Sequence, residues 1–325
     1  MKDFRELTRD EQIKEVSSVV EEICSRYFTD DVSFELINFE FNATFKVQCR
    51  SETYALRINI NSSRTRENVN AEIAFIHHLR EHSRVQVPRP IPSREGGFVV
   101  EATLPSSTKS VLAVLFSWLD GSEVGDEADP QQLFAIGVAM AGMHQAAGGF
   151  ELPSDSALPV LNDLLWGTTD QLFASSSALD VEDRRVLDLS RIQIEEVISY
   201  FYARDSQIVI HADMHGWNLM WNVDELAVFD FDDCGIGLPI QDLATALYYV
   251  DTLAEREIVL EGYRSIRALP EYSDFQMQAL LLQRRILLLN YLYETANEEH
   301  RELIPTYLPE TIRRAELFLS KIAKL

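Results

Sequence analysis

Cysteine is scarce in this chain. Cys24, Cys49 and Cys234 are three in number, scattered, and without a CxxC spacing. That argues against a disulfide framework or a cysteine-based zinc site and fits a reducing compartment. Long apolar runs are missing too: no window approaches the roughly 20 residues of a membrane span, and the amino end "MKDFRELTRDEQ" has no apolar centre of a signal peptide. A cytoplasmic protein without a membrane partner is expected. Positive charge is in short supply, with 29 basic against 52 acidic residues, a formal charge of −23 and no local basic run. Nucleic acid and anionic membrane are therefore disfavoured as partners. Solubility is the plain account of the acidity; the sharper one is that it helps draw in a cationic substrate or a metal. Internal repeats and low-complexity segments are also absent.

What is present is a core-forming composition, 46% hydrophobic over 325 residues, enough for one large domain or two lobes. In "TRDEQIKEVSSVVEEICSRY", Thr8 and Glu11 form a capping box and Ile13, Val16, Val20 and Ile23 a helical stripe. The runs "VSFELI", "NATFKVQC" and "ETYALRINI" read as an antiparallel meander. A helix "ENVNAEIAFIHHLREH" follows, then the extended "VPRPIPS" and the strands "GFVVEA" and "SVLAVLFSW". Beyond "WLDGSEVGDEAD" the character changes. Asp129 and Pro130 start a helix, "PQQLFAIGVAMAGMHQAA", whose small residues suit close packing. Helical periodicity then dominates in "VEDRRVLDLSRIQIEEVISYFYARD", "PIQDLATALYYVDTL", "SDFQMQALLLQRRILLLNYLYETANEE" and "PETIRRAELFLSKIA". A boundary near residue 119 divides a sheet-rich segment from a helical one.

Framed by the apolar runs "IVI" and "LAVF" lies "HADMHGWNLMW", followed by "VFDFDDCG". Phosphoryl transfer uses a loop H-x-D-x-x-x-x-N in which Asp orients or deprotonates the acceptor hydroxyl and Asn binds magnesium. His211, Asp213 and Asn218 fit it without a gap, and the hairpin "LMW", "NVDE", "LAVF" delivers a second carboxylate, Asp230, twelve residues beyond Asn218. Magnesium takes hard oxygen ligands, so an amide oxygen, a carboxylate, nucleotide phosphates and water would satisfy it. Metal and phosphates would then offset the repulsion among so many carboxylates. Two other readings exist. His211, Asp213 and His215 could ligate a transition metal, which leaves Asn218 without a role; or all are satisfied polar groups of an ordinary hairpin. His211 itself reads as a hydrogen bonder that shapes the loop.

"HADMHGWN" followed by "VFDFDDCGIGLPIQDLA" resembles the aminoglycoside phosphotransferase and choline kinase family, whose members often read HGDLHxxN, then (I/V/F)D(F/W)xD, then P-x-x-D-L-A. "DFDD" and "PIQDL" are most similar to the branch holding bacterial stress response kinase A and homoserine kinase type II. The resemblance implies an α+β, two-lobed, protein-kinase-like fold: a small antiparallel-sheet N-lobe (1–119) for the nucleotide and a larger, mainly helical C-lobe (120–325) for catalysis and the acceptor. It implies Asp213 as catalytic base, Asn218 and Asp230 as magnesium ligands, and Asp242 as a support of the loop; His215 stands where many members have His. Arg57 in "YALRINI" would grip the α- and β-phosphates with Glu72 as its helix partner, Arg standing where Lys is usual. Asn42 falls at the usual Asn of this branch, and "LFSWLDG" would be the hinge, meeting adenine near Phe116 and Trp118. One departure is plain: the phosphate-loop stretch "NFEFNATFKV" has no glycine, so the loop either grips ATP less closely or closes by another geometry.

The expectation is an ATP- and magnesium-dependent phosphotransferase acting on an alcohol hydroxyl. Asp232 and Asp233 would make the acceptor side acidic and favour a small amine-bearing molecule, unless Asp232 only supports the loop. The stress-kinase resemblance leaves a protein serine or threonine open as acceptor, and the glycine-free loop leaves open a pseudokinase that binds ATP without transfer.

Overall fold

The computed structural model describes residues 4–61, 64–175, 177–295 and 297–322. The chain divides into two compact units. The first comprises Met1–Ser122, Phe150–Leu158 and Asn222–Asp232; the second comprises Glu123–Gly149, Pro159–Trp221 and Asp233–Leu325. Its elements begin with α1 (Arg9–Ser17), α2 (Val20–Ser25), β1 (Val32–Phe39), β2 (Asn42–Cys49), β3 (Glu52–Asn59), α3 (Arg66–His82), β4 (Pro90–Ile91), β5 (Val99–Thr103) and β6 (Ser110–Ser117). They continue with β7 (Ser122–Glu123), α4 (Pro130–Ala147), α5 (Val181–Arg204), β8 (Ile208–Ile210), β9 (Leu219–Asn222), β10 (Glu225–Val228), β11 (Gly235–Gly237), α6 (Pro239–Tyr248), α7 (Leu253–Arg264), α8 (Asp274–Glu294), α9 (Glu298–Arg301) and α10 (Ile304–Ile322).

The first unit is an antiparallel sheet in the order β1-β2-β3-β6-β4, with β5 also paired to β6. The expected meander is thus β1 to β3. Phe45, Val47, Leu56, Ile58, Ala113 and Leu115 of the sheet bury themselves against Val16, Val20 and Ile23 of the two N-terminal helices. The Thr8–Glu11 capping box is formed, Glu11 accepting from the Thr8 amide at 2.8 Å. The stripe read as one helix is two, because the chain steps out of the helix at Ser18–Val19, where the Ser18 hydroxyl donates to the Glu15 carbonyl at 2.7 Å. Both halves keep their apolar residues on the core.

The second unit is mainly helical. The small residues of α4 do permit close packing: a Cβ added at Gly137 would lie 2.0 Å from the Val259 carbonyl oxygen, and one at Gly262 of α7 would lie 2.1 Å from that of Phe134. Backbone meets backbone there, and only glycine fits. Helix α8 packs on α5, α6 and α10. Pro309, expected to open the last helix, sits inside α10, which starts at Ile304. The turn before it is anchored by Arg285, which donates to the Tyr307 carbonyl at 3.2 Å and lies 4.0 Å over the Tyr307 ring. Among the described residues no helix is long and apolar enough to cross a membrane.

Candidate active site

In the second unit the chain leaves β8 into the H-x-D-x-x-x-x-N loop through Ala212, whose φ of 68° is left-handed and so needs outside support. Asp242 supplies it. Fully buried in the first turns of α6, it accepts the amides of His211 at 3.0 Å and Ala212 at 2.6 Å, and His144 Nε2 of α4 at 2.9 Å. Since the carboxylate can only accept, Nε2 carries the proton and His144 Nδ1 receives the Tyr263 hydroxyl at 2.9 Å. Burial pushes the Asp242 pKa up, but the hydrogen bonds it accepts, from His144 and the Ala212 amide, outweigh it and hold the group below the usual carboxylate range. His211 Nδ1 accepts the Asp213 amide at 3.2 Å, so this histidine shapes the loop from within.

Asp213 has no idle oxygen. Oδ2 accepts from His215 Nε2 at 3.2 Å and Asn218 Nδ2 at 3.1 Å, and Oδ1 is ion-paired with Arg284 of α8. His215 Nδ1 accepts the Trp217 amide at 3.3 Å, which assigns the proton to Nε2. Asn218 spends its amide nitrogen on Asp213, also reaching the Asp213 carbonyl at 2.9 Å, so the amide oxygen is what it can offer a hard cation. Burial would raise the Asp213 pKa; the Arg284 guanidinium, then His215, drive it well below the usual range. Arg284 also donates to the Tyr249 hydroxyl at 2.7 Å and lies 5.4 Å over that ring, while burial pushes the Tyr249 hydroxyl up to about 12. Beside this loop lies a cavity of about 220 Å³ with Met214, Leu133, Ile136 and Ala246 as its apolar lining and Trp217, Tyr249 and His215 as its aromatic one. Its charged lining residues are the carboxylates Asp126, Glu127, Asp251 and Glu255, with Asp126 taking the Trp217 indole N–H at 2.9 Å and Glu255 capping α7.

In the first unit Arg57 of β3 makes an end-on, two-bond pair with Glu72 of α3, Nη1 and Nη2 donating at 2.7 and 2.5 Å, both residues buried. Burial would lower the Arg57 pKa, yet Glu72, Asp232 and Asp230 raise it and keep the guanidinium charged. Arg57 stands 3.7 Å from Asp230 and 4.0 Å from Asp232, and 5.5 Å over the ring of Phe116. Asp230 has a left-handed φ of 59° and a 40% exposed side chain. Asp232 is held by Asn42 Nδ2 at 3.2 Å and Asn59 Nδ2 at 3.3 Å, and Asp233 is exposed in the second unit. Phe116 is buried in β6, and Trp118 carries the Lys46 ammonium 4.9 Å over its ring.

The structure thus gathers Asn42, Arg57, Glu72, Asp230 and Asp232 in one unit and His211, Asp213, His215, Asn218 and Asp242 in the other. Among the described residues no group of three or more His, Cys, Asp or Glu side chains is arranged to hold a metal, so the transition-metal reading of His211, Asp213 and His215 finds no geometry. Oxygen donors of the Asn218 and exposed Asp230 kind do fit magnesium. Sequence reasoning missed Arg284, Tyr249, His144 and Asn59. For Arg284 a signal existed: "QRR" interrupts the apolar run "ALLL…ILLLN", and charges there must be buried and paired.

Comparison with known proteins identifies the family. The model of the phosphotransferase enzyme family matches residues 38–275. Amicoumacin kinase of Bacillus subtilis is 25% identical over 252 residues, 77% of this chain and 70% of that protein. The chain spans about two thirds of the length of the curated relatives it matches. Among solved structures, a microcompartment-associated aminopropanol kinase superposes with a TM-score of 0.77 at 23% identity, over 94% of this chain and 98% of that one. The amicoumacin kinase hAmiN in complex with AMP-PNP, Ca2+ and Ami gives 0.74 at 20% identity, over 94% and 96%. The chain therefore belongs to the phosphotransferase enzyme family and has its kinase-like α+β fold.

Proposed function

We propose that this protein uses ATP and magnesium to phosphorylate an alcohol hydroxyl of a small, amine-bearing molecule. The observation that carries the reading is Asp213, a carboxylate on a braced loop, kept anionic by Arg284 and tethered to Asn218. A base so strongly ion-paired is weak, which suits a late proton transfer: Asp213 orients the hydroxyl in line and accepts its proton as the new oxygen–phosphorus bond forms and the bond from the γ-phosphorus to the bridging oxygen breaks, with ADP leaving. Arg57, fixed by Glu72, would grip the α- and β-phosphates; Asn42 would face the phosphate end; Phe116 and Trp118 would lie at the adenine end; residues 1–119 would serve the nucleotide and 120–325 catalysis and acceptor. Asn218 and Asp230 would hold magnesium, which supplies positive charge to the transferring phosphoryl group. Binding of AMP-PNP and Ca2+ by hAmiN is in keeping with a divalent ion. The cavity beside His215 favours the amine: its charged lining is anionic and its aromatic faces suit an ammonium.

The test is Asp213→Asn, which keeps shape and removes charge. Turnover should fall by roughly 10²-fold or more, with the Kd for AMP-PNP nearly unchanged, using the best acceptor from a screen of amino alcohols, aminoglycosides, sugars and a protein substrate. Wild-type turnover in the variant refutes the assignment. Absence of turnover in both forms would make the protein a pseudokinase, and transfer to protein alone would overturn the small-molecule acceptor.

A further inference from the structure

The connection from β1 to β2 holds its shape without glycine. None of residues 39–42 has a left-handed backbone, so no glycine is required by conformation. The turn is fastened instead to the end of β3: the Phe41 carbonyl accepts the amides of Ile60 at 3.1 Å and Asn61 at 2.9 Å, and Asn61 Nδ2 donates to the Glu40 carbonyl at 3.3 Å. Asn42, the first residue of β2, is the register partner of Asn59, the last of β3. From these facing positions both amides donate to one carboxylate, Asp232, one to each oxygen. Asp232 follows Asp230, whose left-handed backbone persists only if neighbouring contacts hold it. Phe231 between them is buried, edge-on to Phe75 of α3 at 6.1 Å.

Two atoms in this cluster are unspent. Asn42 Oδ1 and Asn59 Oδ1 are buried and have no hydrogen-bond partner, although their residues are only 8% and 6% exposed. Buried polar atoms nearly always have a partner, from the protein or from water. Acceptors of this kind suit O–H donors such as the waters that magnesium retains when bound by few protein ligands.

We propose that Asn42, Asn59 and Asp232 form a latch that positions Asp230 against the β2–β3 strands, beside the phosphate grip of Arg57. Asn59 is in this view a positioning residue for metal-dependent nucleotide binding. The inference rests on Asp230 being a magnesium ligand. Its test is calorimetric binding of AMP-PNP with magnesium and with EDTA, for wild type, Asn59→Leu, Asn59→Ser and Asp230→Ala. In Asn59→Leu the gain in affinity from magnesium should shrink roughly tenfold or more, the scale of a lost hydrogen bond to a charged group, while affinity in EDTA stays put. Asn59→Ser, which keeps a short donor and is the milder change should Asn59→Leu fold poorly, should recover part of the gain. Equal weakening with and without magnesium would reduce the latch to a structural contact and overturn the proposal. Loss of the magnesium gain in Asp230→Ala but not in the Asn59 variants would overturn the latch alone; an undiminished gain in Asp230→Ala would sink the metal assignment and the latch together.

Discussion

Replacing Asp242 tests the brace beneath the catalytic loop. The carboxylate is fully buried and accepts three donors, the His211 and Ala212 amides and His144 Nε2. Asp242→Asn keeps the shape but turns an NH2 toward at least one of those donors, and Asp242→Leu strands all three. A buried donor left unmet costs about 1–3 kcal/mol, and more where the lost acceptor is charged, so the loss should be about 3 kcal/mol for Asn and at least as large for Leu. Urea unfolding followed by tryptophan fluorescence is the assay, because Trp166, Trp217 and Trp221 all lie in the second unit and only Trp118 in the first. The pH dependence follows from the lowered pKa of Asp242. The folded group binds its proton less readily than the unfolded one, so its contribution is fully present above the unfolded value near 4 and fades as pH falls through the lower folded value. The gap between wild type and Asp242→Asn should thus hold steady from pH 8 to 5 and close in stronger acid. Pairing it with His144→Ala should give a combined loss smaller than the separate losses added, since both remove one bond. An unchanged urea midpoint in Asp242→Asn, or strict additivity with His144→Ala, would refute the brace.

Gly137→Ala should destabilise by about 1–3 kcal/mol in thermal unfolding, because its Cβ would sit 2.0 Å from the Val259 oxygen; Gly148→Ala, where the nearest atom is 3.5 Å away and φ is −62°, should be near neutral. Arg284→Met removes the counter-charge of Asp213 and should cut turnover at least tenfold at saturating substrate while the Kd for AMP-PNP holds, a misplaced catalytic group being worth roughly that or more. Arg284→Lys should recover only part, since one ammonium cannot meet both Asp213 and the Tyr249 hydroxyl in the geometry of a guanidinium.

The elements legible in the sequence are those whose signals are local. The Thr8 to Glu11 box, the Asp129-Pro130 start and the β-branched runs of β1 to β3 each carry their own cue within a few residues. Helix α7 was missed although Thr252 and Glu255 spell the same box that marks α1, because the preceding apolar stretch "ALYYVDTL" reads as one continuous helix. In the folded chain α6 stops at Tyr248, and Tyr249 is turned toward Arg284. The loop residues were legible because the H-x-D-x-x-x-x-N spacing is itself a local pattern. Arg284, His144 and Asn59 were not, since each reaches its carboxylate through tertiary packing: His144 lies 98 residues from Asp242 and Asn59 lies 173 from Asp232. No local pattern encodes such a distance.

Those same residues revise the account of how one short stretch tolerates so many carboxylates. From sequence, the expectation is that a bound metal and phosphates offset the repulsion. In the structure the protein has met most of that need with its own groups: Arg284 for Asp213, His144 and two amides for Asp242, and two asparagine amides with Arg57 nearby for Asp232. Each partner is a donor fixed by a helix or strand, so each carboxylate is held in one orientation. Asp230 differs, with its side chain 40% exposed and the Arg57 guanidinium 3.7 Å away. A carboxylate kept near solvent beside a buried cation is poorly placed to stabilise the fold, which leaves Asp230 available for the metal role proposed above. The division follows from solvation: Asp213, Asp232 and Asp242 are largely withdrawn from water and held by fixed donors, and Asp230 stays within reach of water.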